Sequence, residues 1–162
     1  ESMIPNNFIS IDEACSKRDE IKKNGKTLVL TNGCFDLLHA GHVYSLSQAS
    51  KLGDYLWVAL NSDSSIKKIK GLERPIINEI ERAYMLKSLS FVQQIILFDS
   101  MTLEKEIEIL KPDFYVKSSD YSFDSINLLE KAALSTANTK IEFVGLLKGK
   151  STTDLISRIK LL

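Results

Sequence analysis

Five short apolar runs alternate with segments of helical spacing along this chain, and this alternation constrains the fold more than any other feature. The first two runs lack the two-residue alternation of a half-exposed strand, which predicts strands covered on both faces. Strands that alternate with helices form parallel sheets, because each helix returns the chain to the start of the next strand. We therefore predict an α/β fold: a single-domain, doubly wound, Rossmann-like, five-stranded parallel sheet. The predicted strands are residues 27–32, 55–61, 92–98, 114–117 and 140–144.

Capping signals mark several of the helices between these strands. Ser10 with Glu13 has the spacing of a capping box, and Asn78 with Glu81 has the same spacing. Pro112 is expected to stop the helix before it, because a proline cannot continue the hydrogen-bond ladder. The predicted helices are residues 10–24, 43–52, 63–69, 78–89, 101–111, 125–138 and 151–162.

Composition excludes several classes of protein. The chain has 162 residues, 44% of them hydrophobic and 26% charged, which is typical of one globular domain. Its formal net charge is zero, so no overall field attracts nucleic acid or an anionic membrane. Cys15 and Cys34 show no framework spacing, and no apolar run has transmembrane or signal-peptide character. We expect a soluble cytoplasmic protein that binds neither nucleic acid nor membranes, with Met3 as the start of a free-standing chain.

The stretch T-N-G-C-F-D-L-L-H-A-G-H at residues 31–42 follows the first predicted strand and holds the chain's only two histidines. His39 and His42 are three residues apart at the expected start of a helix, so both imidazoles are expected on one face. A helix N-terminus offers free N–H groups and the positive end of the dipole, which attract phosphate. Gly41 is expected to leave room for a ligand. This stretch predicts a phosphate site.

Polar clusters also follow the fourth and fifth predicted strands. Lys117 and Asp120 offer a cation and a carboxylate, although this segment can equally be a polar turn. The sequence G-K-S-T-T at residues 149–153 opens the last helix with three hydroxyls, which predicts an N-cap and can also cradle an anion. Because parallel strands end at one edge of the sheet, we expect all three clusters to share one site.

Four basic residues lie between positions 67 and 74. A charge run is usually a solvated face, but beside a phosphate site a basic loop can close over a triphosphate. Lys70 is the best candidate for a phosphate contact, and Lys67 and Lys68 can simply be exposed. Arg82, in the first turn of its helix, forms either a surface ion pair or a phosphate contact.

Several common ligand-binding motifs are absent from the sequence, and the roles of two residues beside the histidines need separate consideration. The sequence has no G-x-G-x-x-G, no G-x-x-x-x-G-K-[ST] and no zinc-ligand spacing, so no dinucleotide fingerprint, P-loop or zinc site is predicted. Cys34 has no base paired with it by sequence, so we expect it to pack rather than act as a nucleophile. Asp36 can orient a histidine, bind the metal of a nucleotide or cap the turn, and all three roles are open.

These motifs together resemble a known family. The H-x-G-H after T-N-G-C-F-D and the closing S-T-T are similar to the HxGH nucleotidyltransferase superfamily, whose fold is that of the class I aminoacyl-tRNA synthetases. More narrowly, they resemble the D-glycero-β-D-manno-heptose 1-phosphate adenylyltransferases of the cytidylyltransferase-like family, enzymes that occur alone or fused behind a sugar kinase. The segments that carry the narrower resemblance are TNGCFDLLHAGH, KLGD, NSD, KGLERP, ER, PDFYVKSSDY and GKSTT.

The resemblance implies transfer of AMP from ATP to a sugar 1-phosphate, giving ADP-heptose for lipopolysaccharide and pyrophosphate. Mg²⁺ would enter with the nucleotide, and no protein metal site is implied. His39 and His42 would stabilise the transition state at the phosphates, and Lys70 with Arg82 would contact them. The resemblance further implies a nucleotide- and phosphate-binding set, formed by Asn32, Gly33, Cys34, Phe35, Asp36, Gly41, Asn61, Lys117, Asp120, Ser151, Thr152 and Thr153.

One departure from the pattern and two alternatives stay open. The heptose enzymes usually carry K-G-G-D-Y where this chain has K-S-S-D-Y at residues 117–121, which leaves the exact sugar open. The alternatives are a cytidylyltransferase that uses CTP with glycerol 3-phosphate or a related phosphate, and a non-catalytic nucleotide-binding protein. We expect residues 1–25 to form an N-terminal segment and helix, and residues 26–162 the nucleotidyltransferase domain, in one compact unit. The family often forms dimers, so a homodimer is also open.

Overall fold

The computed structural model describes residues 3–118 and 122–162, and its centre is a parallel sheet. The strands are β1 (Leu28–Gly33), β2 (Tyr55–Asn61), β3 (Gln94–Phe98), β4 (Phe114–Ser118) and β5 (Lys140–Val144). They lie in the order β3-β2-β1-β4-β5, and every neighbouring pair is parallel. The predicted α/β class and five-stranded parallel sheet are confirmed, and β2 and β5 have the predicted bounds.

Seven α-helices connect or flank the strands in the described residues. They are α1 (Ile11–Lys23), α2 (Ala40–Ser50), α3 (Asp63–Lys70), α4 (Glu79–Lys87), α5 (Glu104–Leu110), α6 (Leu128–Thr136) and α7 (Thr152–Lys160). A short 3₁₀ turn, Phe123–Ser125, precedes α6. None of these helices is long and apolar enough to cross a membrane.

Side-chain caps set the helix starts. The predicted capping box of α1 is present, with Ser10 and Glu13 bonding each other's main chain, and Asn78 accepts from the N–H of Glu81 at the start of α4. Three predicted starts were wrong. Helix α5 begins at Glu104, three residues later than predicted, and its N-cap Leu103 makes no side-chain cap. Helix α2 begins three residues earlier than predicted because His39 serves as its N-cap. Helix α6 begins at Leu128 because Asn127 accepts from the N–H of Leu129 there.

Each strand contributes side chains to two cores, one on each face of the sheet. Leu28 and Leu30 of β1 belong to the core that α1, α5 and α6 cover, whereas Val29 between them belongs to the core that α2 and α4 cover. Trp57 likewise faces the first core, between Leu56 and Val58 on the second. This alternation follows from the two-residue period of a strand and explains why β1 and β2 carry apolar side chains on both faces.

The strand order reverses its direction at β1. The chain proceeds from β1 to β2 and β3 on one side, and then crosses to β4 and β5 on the other. Ligands of open α/β sheets bind at such a reversal, outside the carboxyl ends of the strands. Here that position lies beyond β1 and β4, where Thr31 pairs with Val116 and donates its hydroxyl to the Val116 carbonyl at 2.9 Å.

Candidate active site

A cavity of about 690 Å³ opens at the carboxyl edge of the sheet, at the reversal of strand order. Its volume is within the range of small-molecule sites. The carboxyl ends of β1, β2 and β4 line it together with the end of α3, the starts of α2, α6 and α7, and residues 101–102 before α5. The predicted site residues that line it are Asn32, Gly33, Cys34, Phe35, Asp36, His39, Gly41, His42, Asn61, Lys70, Lys117, Ser151, Thr152 and Thr153.

The two histidines form the cap of α2. Nδ1 of His39 accepts from the N–H of Gly41 at 3.0 Å, and Nδ1 of His42 accepts from the N–H of His39 at 3.3 Å. Their rings stack with centroids 3.8 Å apart, and Phe35 packs edge-on against His42 with the ring centroids 5.4 Å apart. Phe35 has a φ of 49° in the turn after β1, in the left-handed region. The predicted shared face of the two imidazoles is therefore present.

This arrangement fixes the tautomer and the charge of both rings. An Nδ1 that accepts a hydrogen bond leaves the proton of the neutral ring on Nε2. Burial, followed by the charges of His39 and Lys70, lowers the pKa of His42 to about 4. Burial and then the charge of Lys150 lower the pKa of His39. At neutral pH both rings are therefore uncharged, and each presents an Nε2–H as a donor.

Gly41 serves the chain itself. A Cβ at this position would lie 2.8 Å from Cε1 of His39 and 3.0 Å from Cβ of Lys150. The space predicted for a ligand is therefore already filled by the His39 ring and by Lys150, which precedes α7. Gly41 allows α2, the His39 ring and the start of α7 to meet.

Asp36 anchors the segment that follows Lys70. Its buried carboxylate accepts from the N–H groups of Ile76 and Ile77 at 2.9 and 3.0 Å and from Nε of Arg74 at 2.8 Å. Burial raises the pKa of Asp36, but the two backbone hydrogen bonds and Arg74 outweigh it, so the pKa is lowered. Of the three open roles, the structure favours a turn anchor, since both carboxylate oxygens are bound to residues 74–77.

Arg82 is a correction to the sequence analysis. Its guanidinium is buried and donates from Nε to the Ile77 carbonyl at 2.9 Å, and from Nη1 to the carbonyls of Cys34 and Asn61 at 2.7 and 2.8 Å. Nη2 forms an ion pair with Asp63 at 2.8 Å. Arg82 does not line the cavity and therefore does not supply the predicted phosphate contact. It holds the ends of β1 and β2 to the segment before α4.

Cys34 behaves as the sequence predicts. Within residues 3–118 and 122–162, no hydrogen bond joins its thiol to a base, and its carbonyl accepts from Arg82. Burial raises the pKa of the Cys34 thiol despite the opposing charges of Lys70, Arg82 and Arg74. The thiol is therefore protonated at neutral pH and unsuited to nucleophilic attack.

A hydrogen-bond network crosses the reversal of strand order. Asn32 Oδ1, at the end of β1, accepts from Nζ of Lys117 at 2.9 Å and from the hydroxyl of Tyr115 at 3.1 Å. The Tyr115 hydroxyl also lies 3.3 Å from Oε1 of Glu130, a buried residue of α6. Because Oδ1 is committed to these donors, the Asn32 amide nitrogen is the group left to donate to a ligand. Lys117 and Asn32 thus meet at the cavity as predicted.

The start of α7 and the end of α3 contribute the remaining polar groups. Ser151 caps α7 by accepting from the N–H of Asp154, and the hydroxyl of Thr152 donates to the Asp36 carbonyl at 3.0 Å. Lys70 is exposed and is the last residue of α3, whereas a loop was predicted there. It lines the cavity, and Lys67 and Lys68 do not. Asn61 is buried and donates from Nδ2 to Ser65 Oγ at 3.0 Å.

A sequence model of one protein family matches residues 30–157, most of the chain and all of the cavity-lining segments. The family is described as cytidylyltransferase-like. The chain belongs to this family.

Curated relatives of this cytidylyltransferase-like chain include two bifunctional proteins called HldE. The HldE of Syntrophotalea carbinolica is 44% identical over 138 residues, covering 85% of this chain and 28% of that protein. The HldE of Campylobacter fetus is 42% identical over 153 residues, covering 94% of this chain and 31% of that protein. The chain therefore spans less than a third of the length of these relatives.

Solved structures show the same fold. A lipopolysaccharide core biosynthesis protein from Thermoplasma volcanium is similar with a TM-score of 0.61 and 29% identity, covering 78% of this chain and all of that one. The pantoate-β-alanine ligase of Francisella tularensis has the same TM-score at 16% identity, over 95% of this chain and 77% of that one. At that identity the ligase shows a likeness of fold alone. The predicted resemblance and nucleotidyltransferase-type fold are confirmed.

The cytidylyltransferase-like chain also has site residues that the sequence analysis missed. Glu130 and Tyr115 enter the network around Asn32, and Lys150 lines the cavity beside His39. Glu130 was detectable in principle, because it is a carboxylate on the same face of α6 as the buried Ala133 and Leu134. Asp120, together with residues 119 and 121, lies outside the described residues.

Proposed function

We propose that this chain transfers AMP from ATP to a sugar 1-phosphate, releasing pyrophosphate. The observation that carries the proposal is the pair of stacked, uncharged histidines at the start of α2, each with Nε2–H available as a donor. His39 Nε2 is buried and has no hydrogen-bond partner among the described residues. A buried donor without a partner is costly, and a phosphate oxygen would supply the missing acceptor.

The reaction requires alignment and charge stabilisation more than proton transfer. A phosphate oxygen of the sugar 1-phosphate attacks the α-phosphorus of ATP, a new P–O bond forms, and the bond to the β-phosphate oxygen breaks as pyrophosphate leaves. The nucleophile is already an anion, so no general base is needed. The Nε2–H groups of His39 and His42 would donate to the oxygens on which charge accumulates, in a site held rigid before reaction.

The surrounding residues have complementary roles in this proposal. The hydroxyls and free N–H groups of residues 151–153 would bind the β- and γ-phosphates at the start of α7. Lys70 and Lys150, both at the cavity, would neutralise the triphosphate. Arg82 and Asp36 would act as positioning residues, since their charged groups are bound to the chain itself.

Mg²⁺ is the cofactor that we propose for this site. Among the described residues, no group of three His, Cys, Asp or Glu side chains is arranged to hold a metal ion. Mg²⁺ commonly binds through substrate phosphates and water rather than through a protein cage, so the residues present fit an ion that is carried by the nucleotide. Bound there, it would neutralise charge on the phosphates.

The proposed acceptor is D-glycero-β-D-manno-heptose 1-phosphate, and the product is ADP-heptose. The support is the sequence resemblance of residues 31–42, 70–75 and 149–153, together with relatives named HldE and a neighbour named for lipopolysaccharide core biosynthesis. The limited share of each HldE that this chain covers agrees with a heptose enzyme that occurs alone or fused to a sugar kinase. We further propose that it works in the cytoplasm, where ATP is made, with a homodimer as an open alternative to a monomer.

Pyrophosphate release tests the proposal directly. The purified chain is assayed with ATP or CTP against heptose 1-phosphate, hexose 1-phosphates and glycerol 3-phosphate. We expect pyrophosphate release with the pair ATP and heptose 1-phosphate and with no other pair of the panel. Preference for CTP with glycerol 3-phosphate would identify a cytidylyltransferase instead. Tight nucleotide binding without turnover on any pair would indicate a non-catalytic nucleotide-binding protein.

A further inference from the structure

Glu130 is a carboxylate buried on the apolar face of α6, with 5% of its surface exposed. Acidic side chains are rarely buried unless they are paired, so its position requires a reason. Part of the reason is structural. Oε1 accepts from the N–H of Leu103 at 3.0 Å, at the start of α5, where no side chain of α5 itself provides a cap. The same oxygen lies 3.3 Å from the Tyr115 hydroxyl.

The second carboxylate oxygen is not explained by this role. Within residues 3–118 and 122–162, Oε2 of Glu130 has no hydrogen-bond partner. The fully buried side-chain atoms without a partner in the described residues do not include Oε2, so this oxygen keeps some exposure. Glu130 also lines the cavity. Oε2 is therefore a hydrogen-bond acceptor at the cavity wall.

The cavity has two halves because it lies across the edge of the sheet. On one face of the sheet, α2, which carries His42, packs over the core that includes Val29 of β1. On the other face, α5 and α6 pack over the core that includes Leu30 of β1. The phosphate-binding groups proposed above belong to the half at α2 and α7. The half at α5 and α6 is lined by Thr102, Ser125, Asn127 and Glu130.

The chemistry of the second half suits hydroxyls and disfavours phosphates. A carboxylate repels a phosphate, but it accepts a hydrogen bond from a hydroxyl strongly. In-line attack requires the acceptor to approach the α-phosphate from the side opposite pyrophosphate, which the start of α7 would hold. The sugar of the acceptor would therefore extend away from α7, toward α5 and α6.

We propose that Glu130 determines acceptor specificity, with Oε2 accepting hydrogen bonds from hydroxyls of the sugar in the α5–α6 half of the cavity. This inference rests on the proposed function. Tyr115 connects the assignment to the reacting end, because its hydroxyl lies 3.1 Å from Asn32 Oδ1, which also accepts from Lys117. Glu130, which would bind the sugar hydroxyls, is thus connected through Tyr115 to Asn32 and Lys117, which would lie near the sugar phosphate.

Glu130→Gln separates this role from the structural one. Glutamine keeps an oxygen that can accept from the N–H of Leu103, but it replaces Oε2 with an NH₂ donor. The matched control is Glu108→Gln, which removes one carboxylate from an exposed position on α5. Each protein is assayed for pyrophosphate release with ATP and heptose 1-phosphate, and its melting temperature is recorded. Binding of heptose 1-phosphate to the complex with a non-hydrolysable ATP analogue is measured by calorimetry.

In Glu130→Gln, KM and Kd for heptose 1-phosphate are expected to rise by about 10-fold or more, the usual effect of losing a hydrogen bond to a charged group. KM for ATP and the melting temperature should match those of Glu108→Gln. An unchanged KM for the sugar phosphate, or an equal rise in KM for ATP, would overturn the assignment while leaving the proposed function intact. If wild-type protein prefers another sugar phosphate, the same comparison is made with that acceptor. Failure of wild type with every acceptor would instead overturn the proposed function, and the assignment with it.

Discussion

The N–H of His39 donates to Nδ1 of His42 while the two imidazole rings stack 3.8 Å apart, so each ring holds the other in place. The pair that caps α2 is thus also the pair that presents two Nε2 donors to the cavity. A proton on Nδ1 of His42 would remove its hydrogen bond with His39. Cap, tautomer and proposed catalytic role therefore depend on the same uncharged state.

His42 should titrate at a lower pH than an ordinary histidine. Its pKa is expected near 4, against an ordinary value of 6.5, because burial and nearby charges disfavour the imidazolium. Heteronuclear NMR of the two ring nitrogens across pH 3.5 to 8 measures this value and identifies the Nε2–H tautomer. The chain has two histidines, so His39→Asn assigns the signals. A His42 that titrates near 6.5 would contradict the buried, capped geometry.

The same shift predicts how stability depends on pH. Between about pH 6.5 and 4 the unfolded chain binds the His42 proton and the folded chain does not. Stability from this group is therefore fully present above pH 6.5 and is lost as the pH falls toward 4. Urea unfolding at several pH values should show this decline, and His42→Asn should reduce it. An equal decline in that variant would assign the effect to other groups.

Removing a single Nε2–H donor should reduce turnover and leave the fold intact. Asparagine is a good N-cap, so His39→Asn keeps an acceptor for the start of α2 but removes the donor. We expect kcat to fall by about 10²- to 10³-fold, as for loss of one donor to a developing charge. His42→Ala should have a similar or larger effect, with a melting temperature within a few degrees of wild type. Activity that survives both changes would exclude the transition-state role.

Lys70 and Lys68 provide a matched pair on α3. Both are exposed, but only Lys70 lines the cavity. Lys70→Ala should lower kcat/KM for ATP by about 10-fold or more through loss of a charge-assisted phosphate contact. Lys68→Ala should change it by less than about twofold, as expected for an exposed surface charge. Equal effects would mean that the lysines act through their general field rather than through a contact.

Substitution of Arg82 should lower the stability of the fold more than it impairs ATP binding directly. Arg82→Ala leaves three main-chain carbonyls and the partly exposed Asp63 carboxylate without their donor, and a buried acceptor left unsatisfied costs about 1–3 kcal/mol. Urea unfolding should show a correspondingly lower midpoint. If the variant unfolds like wild type but binds ATP much more weakly, the result would support the phosphate contact that the sequence suggested for Arg82.

Gly41 and Gly145 test the packing beneath the histidines. A Cβ at Gly41 would lie 2.8 Å from His39 Cε1, whereas one at Gly145 would meet no described atom within 4 Å. Gly41→Ala should displace the His39 ring and reduce kcat, and Gly145→Ala should be neutral. The ring shift of His39 in NMR spectra measures the displacement directly. Equal activities of the two variants would show that the His39 ring adjusts without consequence.

The parts of the fold that were predictable are those with local signals. Short apolar or β-prone runs between helical segments indicated the strands, and the caps at Ser10 and Asn78 indicated two helix starts, because each signal lies within a few residues of its effect. Arg82 was misassigned because a guanidinium in a first helical turn looks the same in sequence whether it binds phosphate or main-chain carbonyls. Its partners at Cys34 and Asn61 are 48 and 21 residues away, and only the sheet brings them together.

The site residues were predictable where a motif was contiguous and unpredictable where the contact was long-range. The pairing of His39 with His42 is local, but the bond from Thr152 to Asp36 spans 116 residues. Glu130 was missed because one acidic residue in an amphipathic helix is usually exposed. Its spacing from Ala133 and Leu134 places it on the buried face of α6, but its partner, the N–H of Leu103, is 27 residues away and only the fold brings the two together.

The Thr152–Asp36 hydrogen bond has a consequence for the order in which the site is assembled during synthesis. Strands β1 and β4 can pair once residues 28–118 have left the ribosome, but the turn after β1 gains its contact with α7 only after residue 152 has followed. A nascent chain therefore carries its histidines long before it has the hydroxyls that face them. Until then, the proposed phosphate site would have only the donors of α2, so a nucleotide that reached the nascent chain would lack half of its proposed contacts.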